Sequence, residues 1–296
     1  MYIEMKLPYW FHQYMIAVNM TNLTSVEIQK MFHRAKPHYD FAMDHPHAKF
    51  HQTVLHHNHG PLKMTASHNR RHLLNTKTPT SFDWRDFDMV TPVATQGTCN
   101  SCYALTACDN LNYWSKKIDG TFSVSGQTLM DCSESLSSGL GCNGGVMDDV
   151  FKWHGPYGSD KFYDGKPHIC DKPDSGIYVQ EYITLSNLEG DEIEPELASA
   201  VVQYGPIPVG IDARSSRFIT YSSGIIEENE CNKEPNHAVT VVGFTPEYWI
   251  VKNSWGEHWG QRGYGKISRG HDTCGISSYA SFATQVVWRD TIHLGS

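Results

Sequence analysis

The sequence predicts an α+β protein with two lobes, because helical patterns dominate its first half and strand-like patterns its second. Two helical segments are recognisable, at residues 101–117 and 194–204, and the strand-like pattern begins at Ile207. All eight cysteines of the 296-residue chain follow residue 78, so the two-lobed region is also the part that disulfides can stabilise.

The first predicted helix runs from Ser101 to Lys117. Its apolar residues recur near helical spacing, at positions 104, 105, 108 and 111. Lysines at positions 116 and 117 lie at its C-terminal end, where the helix dipole favours cations. A second, amphipathic helix is predicted from Glu194 to Tyr204.

The predicted strands follow Ile207 as short apolar runs separated by glycine, proline and polar turns. These runs are PIPVGI, HAVTVVGF, YWIVKN and GYGKIS.

The overall composition is that of an ordinary globular protein. Hydrophobic residues make up 40% and charged residues 19% of the chain, which excludes wholesale disorder. A net charge of −8 and a pI near 6.1 argue against a dedicated nucleic-acid binder, which carries a basic face. No apolar run approaches the roughly 18 residues of a membrane span, so no membrane insertion is predicted.

Residues 1–78 differ in composition from residues 79–296. The first segment holds eleven of the seventeen histidines, no cysteine, and nine lysines and arginines against four acidic residues, a formal charge of +5. The second segment carries −13. We expect a basic arm that contacts an acidic body, with a disordered basic tail as the alternative.

The strongest chemical signal is the segment from Gln96 to Cys102, with the sequence QGTCNSC. Cys102 lies where the first predicted helix begins, and both a helix N-terminus and a neighbouring imidazolium favour a thiolate. His237 is the candidate base, and Asn253 is a candidate acceptor for its ring N–H. Gln96 is a candidate donor to the oxyanion of a tetrahedral intermediate.

Other interpretations of these residues remain at this point. Cys99 and Cys102 form a CxxC pair that also occurs in zinc and redox sites. No second CxxC or close Cys/His pair follows, and no parallel βαβ chain surrounds the motif. Cys108 is predicted to be a buried thiol, and His237 taken alone is more often structural than catalytic.

Four further motifs have the same order as in a known family. They are Phe82-Asp-Trp-Arg85, Ser125-Gly-Gln-Thr-Leu-Met-Asp-Cys132, Gly141-Cys-Asn-Gly-Gly145 and Asn253-Ser-Trp-Gly-Glu-His-Trp-Gly-Gln-Arg-Gly-Tyr264. From about Phe82 to Phe282 the chain resembles the papain-family cysteine peptidases, and Val146-Met147 is similar to their cathepsin L-like branch. The resemblance implies a papain-like two-lobed catalytic domain over residues 79–296, with a helical left lobe, a β-barrel-like right lobe and the active-site cleft between them.

The resemblance also implies specific residue roles. Cys102 is the nucleophile, His237 the base, Asn253 the residue that orients it and Gln96 the oxyanion donor. Trp255 covers the His–Asn bond, and the backbone of Gly144 and Gly145 pairs with substrate. The implied disulfides are Cys99–Cys142, Cys132–Cys170 and Cys231–Cys274, and neither a metal nor an organic cofactor is implied.

The second specificity subsite is expected to be apolar. Alignment by motif places Val146, Met147, Gly210, Ala238 and Tyr279 around it, so a hydrophobic residue two positions before the cleaved bond is preferred. Tyr279 at the floor is expected to shorten the pocket and favour leucine or valine over phenylalanine.

Two residues beside the nucleophile depart from the family pattern. Asn100 replaces a glycine and adds a side chain at the wall of the first subsite. Tyr103 replaces a tryptophan and is expected to keep its aromatic packing.

The N-terminal arm is similar to part of a propeptide. Residues 20–27 resemble the end of a propeptide's conserved region, so residues 1–78 are interpreted as a truncated propeptide that acts as the chain's own inhibitor. Its histidines suggest acid-triggered processing near Lys77–Thr80, with metal binding by His56-His57-Asn-His59 as the competing interpretation. Residues 5–18 lack the continuous apolar region of a signal peptide, and the resemblance implies a lysosomal or extracellular location.

The sequence therefore predicts a monomeric cysteine endopeptidase acting on peptide or protein substrates through a thiolate–imidazolium pair and a thioester intermediate. No insertion suggests the loop that makes some relatives carboxydipeptidases. The alternatives are a catalytically silent homologue that binds peptides or carbohydrate, and a regulatory protein that acts through the arm.

Overall fold

The computed structural model describes residues 78–118, 123–133, 141–153, 155–158, 161–186 and 193–289. The N-terminal arm, except residue 78, lies outside the described residues. The helices in the described ranges are α1 (Cys102–Ile118), α2 (Gly126–Ser133), α3 (Met147–Lys152), α4 (Ile193–Tyr204) and α5 (Ser216–Ile219). The strands are β1 (Phe82–Asp83), β2 (Gly176–Ser186), β3 (Ile207–Ile211), β4 (His237–Phe244), β5 (Tyr248–Lys252), β6 (Tyr264–Ser268) and β7 (Tyr279–Arg289).

The described strands form one antiparallel sheet. Its order is β2-β7-β3-β4-β5-β6, and β1 pairs with β4. The pairing of β3 with β4 sets Gly210 opposite Ala238, and the pairing of β3 with β7 sets Val209 opposite Ala280. This register brings the start of β4 and the start of β7 to the same region of the sheet.

Two separate hydrophobic cores give the protein its two lobes. One core packs α1, α2 and α3 around the buried side chains of Tyr103, Leu111 and Phe151. The other lies between α4 and the sheet, around Val241 and Trp249. The long strands β2 and β7 contribute to both cores, so they join the lobes along one edge.

Helix α1 is the element that lies between the lobes. Its fully buried residues Ala104, Ala107 and Leu111 recur at helical spacing, which explains why the segment folds as a helix. The helix packs on α2 and α3 on one side and on β3 and β4 on the other. Its first residue, Cys102, is therefore held where the two lobes meet.

The predicted α+β two-lobed fold is confirmed, although neither β1 nor β7 was predicted from the sequence. Strand β2 was not among the sequence predictions, although Ile177, Val179, Ile183 and Leu185 are buried along it. These buried residues alternate along the strand except at Glu181, which is exposed and lies at an irregularity in the pairing with β7. The strands predicted from the four apolar runs correspond to β3, β4, β5 and β6.

The structure contains three disulfides, Cys99–Cys142, Cys132–Cys170 and Cys231–Cys274, which are the pairs that the resemblance implies. Cys102 and Cys108 are free thiols. Because Cys99 is bonded to Cys142, the CxxC interpretation of Cys99 and Cys102 is wrong. Within the described ranges, no helix combines the length and apolarity needed to cross a bilayer.

Candidate active site

The Cys102 thiol lies at the N-terminus of α1, against the first residues of β4. Backbone N–H groups of Ala238, Tyr103 and Cys102 itself interact with its sulfur. Ala238 directly follows His237 in β4, so the lobe contact brings the candidate nucleophile beside the candidate base. The disulfide of Cys99, three residues before the thiol, fixes the loop that leads into the helix.

His237 is oriented by Asn253. The ring Nε2 lies 2.8 Å from Asn253 Oδ1, which also accepts the backbone N–H of Ser254 at 2.8 Å. Because Oδ1 is an acceptor, Nε2 carries the hydrogen. Nδ1 of the neutral ring is then free to accept a proton from a thiol.

An aromatic group covers this hydrogen bond. The Trp255 ring lies 4.8 Å from the His237 ring between centroids, and the Phe218 ring packs edge-on against both. Trp259 completes the group, and its Nε1 donates to the carbonyl of Phe218. The group keeps water away from the His–Asn bond and strengthens it.

Gln96 is held in the loop before Cys102 by both ends of its amide. Its Nε2 donates to the carbonyl of Cys99 at 2.7 Å, and its Oε1 accepts the hydroxyl of Ser254 at 2.7 Å. Its backbone N–H also bonds the Ser254 carbonyl at 2.8 Å. An amide nitrogen carries two hydrogens, so one remains for another acceptor.

Burial opposes ionisation of either catalytic candidate alone. It raises the pKa of the Cys102 thiol, although the surrounding backbone N–H groups act in the opposite direction. It lowers the pKa of His237 to about 4, although the bond to Asn253 acts in the opposite direction. The two groups therefore ionise favourably only together, as a thiolate and an imidazolium that attract each other in a site of low polarity.

This coupling makes a prediction about His237. In Cys102→Ser the ring has no thiolate partner, so we expect His237 to titrate near 4, well below the ordinary value of 6.5. In the unchanged protein the thiolate raises the pKa of His237 above its value in the variant. NMR titration of the His237 ring in both proteins, assigned with His237→Gln, measures the difference, and equal pKa values would contradict the coupling.

The Tyr103 side chain explains why one of the two positions proposed to pair with substrate, residue 145, is a glycine. A Cβ on Gly145 would lie 2.8 Å from the Tyr103 ring, so the buried aromatic side chain itself requires glycine there. Gly144 has a φ of 111°, which favours glycine, and open space beside it. The Tyr103 hydroxyl bonds the Gly141 carbonyl at 3.3 Å, and Asn100 beside it is exposed.

The five predicted subsite residues lie on or beside four elements: Val146 and Met147 at the start of α3, Gly210 in β3, Ala238 in β4 and Tyr279 at the start of β7. Gly210 is opposite Ala238, and a Cβ on Gly210 would lie 3.6 Å from Cβ of Tyr279. Met147 is buried in the same hydrophobic core as Ala238, whereas Val146, which precedes it, is 42% exposed. Tyr279 Oη donates to Asp148 Oδ1 at 2.7 Å, and burial, together with this hydrogen bond, raises the pKa of Tyr279.

Two residues beside the predicted subsite were not predicted from the sequence. Pro235 lies 3.1 Å from the Cβ position of Gly210, beside the predicted subsite. Asp148 fixes Tyr279 and also accepts the Thr184 hydroxyl at 3.0 Å. The position of Asp148 after Met147 was a usable signal, whereas nothing in the sequence around Pro235 marks it.

A two-lobed fold that holds a thiol at a helix N-terminus, with a His–Asn pair across the lobe contact, is typical of the cysteine peptidase class. The sequence profile described as "Papain family cysteine protease" matches residues 78–284, and the chain belongs to this family.

The similar curated proteins include a cathepsin L-like protein of Caenorhabditis elegans and cathepsin S of Bos taurus. Each is 37% identical, over 221 and 222 residues respectively, and each match covers 70% of this chain. The matches cover 65% and 66% of the relatives' own lengths, so the chain spans just under two thirds of each.

Solved structures of cysteine proteases have the same fold. A Carica candamarcensis protease in complex with E-64 matches with a TM-score of 0.61 and 28% identity, covering 70% of this chain and 99% of that one. Bromelain from Ananas comosus, also with E-64, matches with a TM-score of 0.60 and 31% identity over 70% of this chain and 99% of its own. The ragweed pollen protease Amb a 11 in its proform matches at 0.61 and 32%, covering 71% of this chain and 66% of that one.

Proposed function

We propose that the protein is a cysteine endopeptidase that hydrolyses peptide bonds in peptides and proteins. The observation that carries the proposal is the contact between the Cys102 sulfur and the backbone of Ala238, next to a His237 ring bonded to Asn253. These are the groups that nucleophilic catalysis by a thiol needs: a nucleophile, a base with a free nitrogen, and a residue that orients the base.

The reaction proceeds in two stages. The Cys102 proton passes to Nδ1 of His237, and the thiolate attacks the peptide carbonyl carbon to form a tetrahedral intermediate. Its oxyanion accepts the backbone N–H of Cys102 and the second hydrogen of Gln96 Nε2. His237 then protonates the leaving amine, and the C–N bond breaks to leave a thioester. Water, deprotonated by His237, hydrolyses the thioester and restores the thiol.

The substrate backbone pairs with Gly144 and Gly145, and the residue two positions before the cleaved bond enters the pocket beside Tyr279. The pocket is apolar except at its floor, which supports a preference for hydrophobic side chains. The hydrogen bond to Asp148 holds the Tyr279 ring in place, so the pocket is short and suits leucine or valine.

The pocket assignment predicts a change of specificity in Tyr279→Ala. Removing the ring lengthens the pocket, so the ratio of kcat/KM for phenylalanine over valine rises by about 10- to 200-fold. Peptide substrates that differ only at this position measure the ratio. Tyr279→Phe keeps the ring and loses only the hydroxyl, so its ratio stays close to that of the unchanged protein. An unchanged ratio in Tyr279→Ala would refute the assignment.

The N-terminal segment is proposed as an inhibitor of the catalytic domain that begins at residue 79. Its formal charge of +5 is opposite to the −13 of residues 79–296. The similarity to a protease in its proform supports an inhibitory N-terminal segment. The endopeptidase specificity, the monomeric state and a lysosomal or extracellular location are proposed on the same family grounds.

Covalent labelling tests the proposed function directly. E-64, the inhibitor present in two of the similar structures, is expected to add one equivalent to Cys102 after acid treatment of the full chain. Peptide mapping by mass spectrometry locates the adduct, and His237→Ala is expected to lose it. Labelling of Cys108, or no labelling combined with peptide binding, would favour a catalytically silent homologue.

A further inference from the structure

A buried ion pair lies behind the catalytic residues. Lys252 Nζ is 2.6 Å from Asp109 Oδ1, and the two side chains are only 3% and 10% exposed. Lys252 also donates to the Thr91 hydroxyl at 2.6 Å, and the Thr240 hydroxyl donates to Asp109 Oδ2 at 2.7 Å. These four residues form the Asp109–Lys252 cluster.

The two charged residues of the cluster, Asp109 and Lys252, each lie close in sequence to a catalytic candidate. Asp109 follows Cys102 by seven residues in α1, so the two side chains point within about 20° of each other around the helix axis. Lys252 ends β5 and directly precedes Asn253. Thr240 follows His237 by three residues in β4 and is the register partner of Lys252.

We propose that Asp109 and Lys252 are positioning residues, which hold Asn253 and through it His237 in register with the helix that carries Cys102. This inference rests on the proposed function of these three residues. Burying two charges is costly, and a pair of apolar side chains would fill the same space without that cost. A charge-assisted hydrogen bond instead fixes a distance and a direction between two elements from different lobes.

The cluster acts through position rather than through its electric field. Burial causes the pKa shifts of Cys102 and His237, and backbone N–H groups and Asn253 respectively oppose these shifts. The hydrogen bond that His237 donates to Asn253 raises the pKa of His237. Displacing Asn253 therefore lowers the pKa of His237, and the high-pH limb of the kcat/KM profile, where the imidazolium is lost, moves to lower pH.

The test uses Asp109→Leu/Lys252→Met in the full chain. Removing both charges leaves no unpaired charge in the interior, so this variant keeps its fold while losing the directed contact. We expect kcat per E-64-titrated site to fall by about 10- to 100-fold with KM nearly unchanged, and the high-pH limb to shift to lower pH. The single variant Asp109→Asn is expected to show the same changes with lower stability.

Asn110→Ala is the matched control. Asn110 is fully buried and adjacent on α1, and it joins the helix to the carbonyls of Tyr204 and Pro206 and to the N–H of Ala283. These contacts do not involve β4, β5 or Asn253. We expect Asn110→Ala to lose stability while kcat per titrated site and the pH profile stay unchanged.

A second measurement does not require activity. In the Cys102→Ser background, NMR titration of His237 is expected to give a lower pKa with Asp109→Leu/Lys252→Met and the same pKa with Asn110→Ala. If the double variant keeps both the pKa and the kcat of its parent, the cluster only stabilises the fold and the proposal is overturned. Failure of the unchanged protein to bind E-64 or cleave peptides would refute the proposed function. The titration of His237 would still show whether the Asp109–Lys252 cluster positions its ring.

Discussion

Replacing Cys102 by serine is expected to lower kcat/KM by about 10⁴-fold or more, because residues that act as one catalytic unit lose nearly all of the rate when the nucleophile is removed. A serine hydroxyl stays protonated beside His237, whereas a thiol transfers its proton and becomes a strong nucleophile. The backbone N–H groups around the side chain are unchanged, so peptides still bind. Hydrolysis of a fluorogenic peptide and competition binding measure the two properties separately.

Cys108→Ser is the control for this result. Cys108 is the other free thiol, and burial raises its pKa to about 12, so it contributes no thiolate near neutral pH. Its sulfur donates to the Val124 carbonyl at 3.1 Å, a bond that a serine hydroxyl also makes. The control is expected to keep full activity per folded molecule. Comparable losses in the two variants would contradict the assignment of Cys102 as nucleophile.

Gln96→Ala is expected to lower kcat by about 100-fold and to leave KM nearly unchanged, because an oxyanion donor acts on charge that exists only in the transition state. The amide is rigid, since Cys99 and Ser254 bind its two ends. The donor therefore needs little reorganisation when the oxyanion forms. Steady-state kinetics on one peptide substrate, with the active-site concentration measured by E-64, give kcat and KM.

Gln127→Ala controls for the loss of a buried glutamine. Gln127 is 2% exposed, and its amide donates to Asp131 and to the Lys166 carbonyl within the helical lobe. Its replacement is expected to lower stability without changing kcat per titrated site. An increase in KM at constant kcat for Gln96→Ala would instead indicate that Gln96 binds the ground state.

The elements of the fold that were predictable from the sequence are those with an uninterrupted pattern. The helical spacing in α1 gave bounds of 101–117, against 102–118 in the structure. The apolar runs gave β3 to β6. Strands β2 and β7 were not predicted. The exposed Glu181 divides the buried residues of β2 into two short pairs, and the pairing of β2 with β7, about one hundred residues later, is what makes it a strand.

The candidate site likewise contains residues that can be recognised from the sequence and residues that only the folded structure brings together. The thiol, imidazole and amides of the catalytic candidates are recognisable because their chemistry depends on residue type, and their order in the chain matches a family. The Asp109–Lys252 pair joins residues 143 positions apart. An aspartate in a helix and a lysine at the end of a strand are ordinarily exposed, so their burial together follows only from the packing of the two lobes.

The division of the catalytic groups between two lobes has a consequence during synthesis of the chain. Cys102 leaves the ribosome 135 residues before His237, which corresponds to a delay on the order of ten seconds at typical elongation rates. The sheet that presents His237 also needs β7, whose last residue is Arg289. A nascent chain therefore carries an unactivated thiol until Arg289 has been synthesised, and the proposed thiolate–imidazolium pair forms only after the last described strand has left the ribosome.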